Sequence, residues 1–62
     1  MKSLIENYMN GNLSECRRQA KRHSRASIEI ALVEMLGYAN EKAALAARWM
    51  KTGEGFQAAC DA

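Results

Sequence analysis

The chain has 62 residues, of which 48% are hydrophobic and 26% charged, and its formal net charge is +2 at pH 7. This length allows one domain at most, so we expect residues 1–62 to form a single domain. The hydrophobic content is too high for a disordered chain. Proline is absent and alanine is frequent in the second half, which favours helix. The sequence therefore predicts a small all-α bundle of four short helices, with a short fifth helical turn near the C-terminus.

The hydropathy pattern predicts a protein outside the membrane. No apolar run approaches the roughly 18 residues that span a bilayer, and the first residues lack the apolar stretch of a secretory signal. Cys16 and Cys60 stand far apart, whereas small disulfide scaffolds carry more cysteines. We therefore expect a cytoplasmic protein with two reduced thiols and no membrane partner. A Cys16–Cys60 disulfide is the alternative.

The first predicted helix follows Ser3, which has the capping-box spacing to Glu6. Its apolar side is formed by Leu4, Ile5, Tyr8 and Met9. The Asn-Gly-Asn stretch at residues 10–12 breaks this helix, because Gly and Asn tolerate the left-handed conformation that ends helices. Asn12 is then placed to cap the second helix.

The second predicted helix covers residues 13–23 and has one cationic face. At about 100° per residue, Arg17, Arg18, Lys21 and Arg22 fall in one arc, opposite Leu13, Cys16 and Ala20. If this helix continued, the same arc would carry Ile28, Leu32 and Met35, which need burial. The phase mismatch predicts a break within residues 24–27, where Ser24 or Ser27 caps a third helix.

The third predicted helix ends at Leu36 before Gly37, and the fourth runs from Asn40 to Lys51. Residues 56–60 are the predicted fifth turn. The predicted core consists of the large apolar residues of the last two helices: Ile28, Leu32, Val33, Leu36, Leu45 and Trp49.

Side-chain catalysis needs convergent groups, and the sequence supplies few of them. His23 is the only histidine. If Cys16 and His23 shared one helix, their seven-residue spacing would separate them by about 10 Å. A zinc site needs four ligands with recognisable local spacing, and only Cys16, His23 and Cys60 are available. The sequence also lacks a glycine-rich phosphate-binding loop. We therefore expect no enzymatic activity, no metal site and no cofactor.

The most informative stretch is a run of cations without acids: Arg17, Arg18, Lys21, Arg22 and Arg25. A helix with such a face suits the phosphate backbone of DNA or RNA. The first hypothesis is therefore a small nucleic-acid-binding protein. The second is a protein-binding adaptor or inhibitor, an accessory factor of phage or plasmid type, whose basic face docks on an acidic surface. A solvated face without a partner is the third reading.

Three large apolar side chains of the second half have two interpretations. Tyr38, Trp49 and Met50 either fill the core or stand exposed as interface anchors, where aromatic residues dominate binding energy. A homodimer that pairs the third and fourth helices is compatible with both binding hypotheses.

Two resemblances cover about a third of the chain each. Val33, Gly37, Ala43 and Ala46 have a spacing that resembles a helix-turn-helix, in which a glycine turn separates two packed helices. In this chain, Val33 and Ala43 depart from the small and β-branched residues usual at their positions. The segment from Met35 to Tyr38 resembles the Met-Gly-Phe/Tyr motif of ubiquitin-associated modules, with Leu36 as an insertion. Neither resemblance identifies a family.

Overall fold

The computed structural model describes residues 1–54, and all of their regular structure is helical. The helices are α1 (Lys2–Met9), α2 (Leu13–Ala20), α3 (Arg25–Leu36) and α4 (Asn40–Thr52). The predicted all-α fold with four helices is confirmed, and the predicted turn at residues 56–60 lies outside the described residues. Among residues 1–54, no helix is long and apolar enough to cross a membrane.

The boundaries of α3 follow the sequence signals. The Ser24 hydroxyl accepts a hydrogen bond from the Ser27 backbone N–H at 3.2 Å, which satisfies one of the unpaired donors at the start of the helix. At the other end, Gly37 has a φ of 70°, in the left-handed region where glycine is favoured. The predicted serine cap and glycine stop are therefore confirmed.

The starts of α1 and α2 differ from the prediction. The Met1 carbonyl already accepts from the Ile5 N–H at 3.1 Å, so Ser3 lies inside the first turn of α1 and cannot cap it. The predicted capping box is wrong. Asn12 does occupy the N-cap position of α2, but its side-chain amide donates to the Asn7 Oδ1 at 3.2 Å and makes no cap hydrogen bond.

The connection between α2 and α3 confirms that they are separate helices. α2 ends at Ala20, three residues before the predicted end, so the break precedes the predicted interval. Lys51 of α4 stabilises this break. Its Nζ donates to the Ala20 carbonyl at 3.2 Å and to the His23 carbonyl at 2.7 Å. The Ala20 carbonyl also accepts from the His23 N–H at 3.1 Å, so Lys51 reinforces a turn that is already hydrogen-bonded.

The core lies where α4 packs on α3 and α2, while α1 packs on α2. Ile28, Leu32 and Trp49 are buried as predicted, and Leu36 and Leu45 are half-buried against the same cluster. Small residues make up much of the α4 contact surface, which allows the helices to approach closely. The buried residues are Leu4, Ile5, Cys16, Ala20, Ile28, Ala31, Leu32, Ala43, Ala46, Ala47, Trp49 and Met50.

Three apolar residues that the sequence placed on packed faces are exposed. Val33 was predicted in the core, but 36% of its surface is accessible, and Met35 and Met9 are more exposed still. The reason for Val33 is the composition of α3, which carries apolar residues on all sides. Only the side with Ile28 and Leu32 meets α4, so the opposite side faces out.

We expect Leu32→Ala to lower the free energy of unfolding by about 2–5 kcal/mol, because it leaves a cavity in the core. The matched control is Val33→Ala on the adjacent, exposed position, which we expect to cost less than about 0.5 kcal/mol. Chemical denaturation followed by circular dichroism measures both. Equal losses for the two variants would show that the inward side of α3 is assigned wrongly.

Candidate functional site

A groove of about 420 Å³ lies between α2 and α4. Its rim is cationic, and its floor is apolar. The rim carries Arg17, Arg18, Lys21 and Lys51, with Ser14 beside them, and the floor is formed by Leu13, Trp49 and Met50. We call this feature the cationic groove.

The structure divides the five predicted cations. All five side chains are exposed, as expected for a binding surface. Arg17 and Arg18 project from α2, and Lys21 follows its last turn, so these three line the cationic groove. Arg22 and Arg25 belong to the connection and to the start of α3, and neither is among the residues that line the groove. The predicted single arc is therefore only partly preserved.

Arg17 lies beside Trp49 of α4 and beside Gly53, which directly follows α4. Its guanidinium carbon lies over the Trp49 ring, 5.9 Å from the ring centroid, a geometry in which the cation is attracted to the aromatic face. A Cβ added to Gly53 would lie 2.9 Å from the Arg17 Nη2, closer than real Cβ contacts. The absence of a side chain at Gly53 thus leaves room for the guanidinium.

Arg18 is engaged by an acid of its own helix. Its Nε donates to the Glu15 Oε2 at 2.8 Å, and its Nη2 forms a second hydrogen bond to Oε1 of the same carboxylate. Gln19 adds a third hydrogen bond to Glu15 at 3.1 Å. The hydrogen bond from Arg18, followed by that from Gln19, lowers the pKa of the Glu15 carboxyl to about 2. Arg18 therefore keeps a carboxylate partner throughout the neutral range.

Arg25 is also paired, since its Nε lies 3.7 Å from the Glu29 Oε2 one turn along α3. By contrast, Arg17, Lys21 and Arg22 have no carboxylate within ion-pairing distance among residues 1–54. These three cations are the unpaired part of the surface, and we call them the open cations. Their charges are available to an external anion.

Lys51 also lines the cationic groove, although it is not one of the five cations predicted from the sequence. Its two hydrogen bonds to the carbonyls of Ala20 and His23 hold the ammonium group beside α2. Carbonyl oxygens do not neutralise a full positive charge, so Lys51 adds to the positive potential of the groove. No local pattern around Lys51 reveals this position, because it depends on how α4 crosses α2.

The proposed interface anchors have other roles in the structure. Trp49 is 7% exposed and Met50 is 1% exposed, so both are core residues rather than exposed anchors. Tyr38 is half-buried, and its hydroxyl donates to the Tyr8 hydroxyl at 3.1 Å. The Lys42 ammonium lies 4.4 Å from the centroid of the Tyr38 ring. These contacts explain why Tyr38 is only partly available to a partner.

The thiol considered for catalysis lies in the core. Cys16 is a buried free thiol, and burial raises the pKa of that thiol. A raised pKa disfavours the reactive thiolate. Within residues 1–54, no group of three His, Cys, Asp or Glu side chains is placed to hold a metal ion. Cys60 lies outside the described residues.

No protein-family model, curated protein or solved structure matches this chain. The helix-turn-helix and ubiquitin-associated resemblances therefore stay predictions.

We expect the Glu15 carboxyl to stay ionised down to about pH 2 in the folded protein. Because the folded-state pKa is depressed, the Glu15–Arg18 pair contributes stability above the ordinary carboxyl range, and this contribution is lost as the pH falls through about 2. NMR titration of the carboxyl carbon measures the pKa directly. In the Arg18→Ala variant the same pKa should rise towards the value of a free glutamate. An unchanged pKa in that variant would contradict the assigned cause.

Proposed function

We propose that this protein is a non-enzymatic binding protein that contacts the phosphate backbone of a nucleic acid. The observation that carries the proposal is the set of open cations, Arg17, Lys21 and Arg22, which are exposed and have no carboxylate partner among residues 1–54. A solvated helix face that serves solubility usually mixes both signs. The open cations instead concentrate one sign of charge at the end of α2.

The chemistry of these side chains suits phosphate. The planar guanidinium of an arginine donates two parallel hydrogen bonds to phosphate oxygens, and lysine contributes a compact charge. Such contacts release the counterions that surround a nucleic acid, which supplies most of the affinity in sequence-independent binding. The net charge of +2 is modest, so the attraction is local to this surface rather than a property of the whole chain.

The second candidate is an adaptor that docks the same surface on an acidic protein. One observation favours it: the cationic groove has an apolar floor that includes the half-buried Leu13. A protein partner can place an apolar side chain there and carboxylates on the rim, whereas a phosphate backbone alone leaves the floor uncovered. The cytoplasmic location and the homodimer remain predictions for either candidate.

We expect the affinity for duplex DNA to fall with salt, with a slope of log K against log salt of about −3 to −4. This value follows from about 0.9 per neutralised phosphate, with the open cations and Lys51 engaged. The double variant Arg17→Ala/Arg22→Ala should make the slope less negative by about two units and weaken binding to all DNA sequences similarly. Fluorescence anisotropy at several salt concentrations measures this slope.

The matched control is Lys2→Ala/Arg48→Ala, which removes the same net charge away from the groove. Lys2 lies 4.0 Å from Glu6, and Arg48 lies 2.9 Å from Glu54. We expect this control to keep the wild-type slope. Absence of binding to both DNA and RNA at low salt would reject the nucleic-acid proposal and leave the adaptor.

We expect Glu15→Gln to strengthen nucleic-acid binding, because it removes the carboxylate that pairs with Arg18 and adds one available cation to the cationic groove. Glu34→Gln is the control, since it changes the net charge equally but lies on α3 outside the groove. The salt slope should steepen by about 0.9 for Glu15→Gln on duplex DNA and stay constant for Glu34→Gln. Equal effects of the two variants would show that only net charge matters.

A further inference from the structure

The cationic groove is concave, and its size decides what it can hold. Its volume of about 420 Å³ lies within the range of roughly 300–1,000 Å³ that is typical of small-molecule sites. A duplex presents its phosphates on a convex surface with the bases paired inside. Duplex phosphates therefore reach the cationic rim without covering the apolar floor. A nucleotide with an unpaired base is able to occupy both parts.

The Arg17 guanidinium can contact a phosphate and a nucleobase at the same time. The edge of its guanidinium donates hydrogen bonds to phosphate oxygens, and the flat face stacks on aromatic rings or nucleobases. Trp49 already lies against this group, with 5.9 Å between the guanidinium carbon and the ring centroid. The cation–π contact with Trp49 restrains the Arg17 guanidinium, which reduces the entropy lost on binding.

We propose that the cationic groove seats one unpaired nucleotide, and hence that the preferred ligand is single-stranded nucleic acid. The inference rests on the proposed function. The nucleotide's phosphate lies on the guanidinium edge of Arg17 and the ammonium of Lys21. Its base stacks on the flat face of the Arg17 guanidinium and covers Leu13. Arg22, outside the groove, contacts the next stretch of backbone.

The test compares three polyanions: a short oligothymidylate, a DNA duplex of the same length, and inorganic polyphosphate. We expect the oligothymidylate to bind at least about fivefold more tightly than polyphosphate at equal salt, the lower end of what base stacking supplies. Trp49 is the only tryptophan of the chain. Its fluorescence should change when the oligothymidylate binds, and change less with polyphosphate.

Arg17→Lys is the informative variant, because it keeps the charge and removes the flat guanidinium. We expect this variant to lose more affinity for oligothymidylate than for polyphosphate, and therefore to lose the preference for oligothymidylate. Arg48→Lys makes the same chemical change at an arginine that lies outside the groove and pairs with Glu54, and it should keep the preference. Both positions are exposed, so neither variant threatens the fold.

A second pair of variants tests the position of Arg17. Gly53 and Gly37 have φ values of +84° and +70°, so alanine strains both backbones similarly. Only at Gly53 does the added Cβ meet Arg17, since nothing lies within 4 Å of a Cβ at Gly37. We expect Gly53→Ala to reduce the preference for oligothymidylate more than Gly37→Ala does, each measured where circular dichroism shows a folded protein.

The outcomes separate this inference from the proposed function. If duplex or polyphosphate binds as tightly as the oligothymidylate, binding of an unpaired nucleotide in the groove is rejected, while the proposed binding of the phosphate backbone is retained. Retention of the preference for oligothymidylate by Arg17→Lys also rejects the nucleotide site. If none of the three polyanions binds at low salt, the nucleotide site and the proposed function are rejected together.

Discussion

The alanine-rich face of α4 is the surface on which the rest of the fold depends. Ala43, Ala46 and Ala47 are buried there, and their small side chains let neighbouring backbones approach closely. α3 packs along this face, and α2 packs on it near the end that carries Trp49 and Met50. In a chain this short, one shared packing surface has to serve several helices, because too few large apolar residues exist to build separate contacts. The packing of α2 on α4 therefore determines where the cationic groove lies.

The contact between α2 and α4 shapes both structure and charge. Trp49 is buried on one side and supports the Arg17 guanidinium on the other, while Lys51 bonds to carbonyls at the end of α2. A core residue thus positions a surface cation, and a surface cation stabilises a helix end. Glu15 and Glu29 have the opposite effect on the binding surface, because each pairs with an arginine of its own helix. The positive charge is therefore concentrated at the open cations, which have no carboxylate within ion-pairing distance among residues 1–54.

Much of the fold was predictable from local patterns, and the failures have local explanations too. The phase mismatch between cations and apolar residues correctly indicated two separate helices, and Ser24 and Gly37 marked the ends of α3. The capping box at Ser3 failed because α1 begins two residues earlier, where the Met1 carbonyl accepts the first helical hydrogen bond. Val33 was misplaced because the apolar residues of α3 are spread around most of the helix, so periodicity does not single out one buried side.

The candidate site was predictable in its residue types and only partly in its arrangement. The all-α class and the run of cations from Arg17 to Arg25 followed from the sequence alone. The ion pairs of Arg18 and Arg25 were not predicted, although the acids three or four residues away face them on a helix. Tertiary structure alone decided that Lys51 joins the groove, that Trp49 supports Arg17, and that Arg22 lies outside. The physical reason is distance along the chain. Helical periodicity relates residues within one helix, whereas contacts between α2 and α4 depend on how the helices pack, which no local pattern encodes.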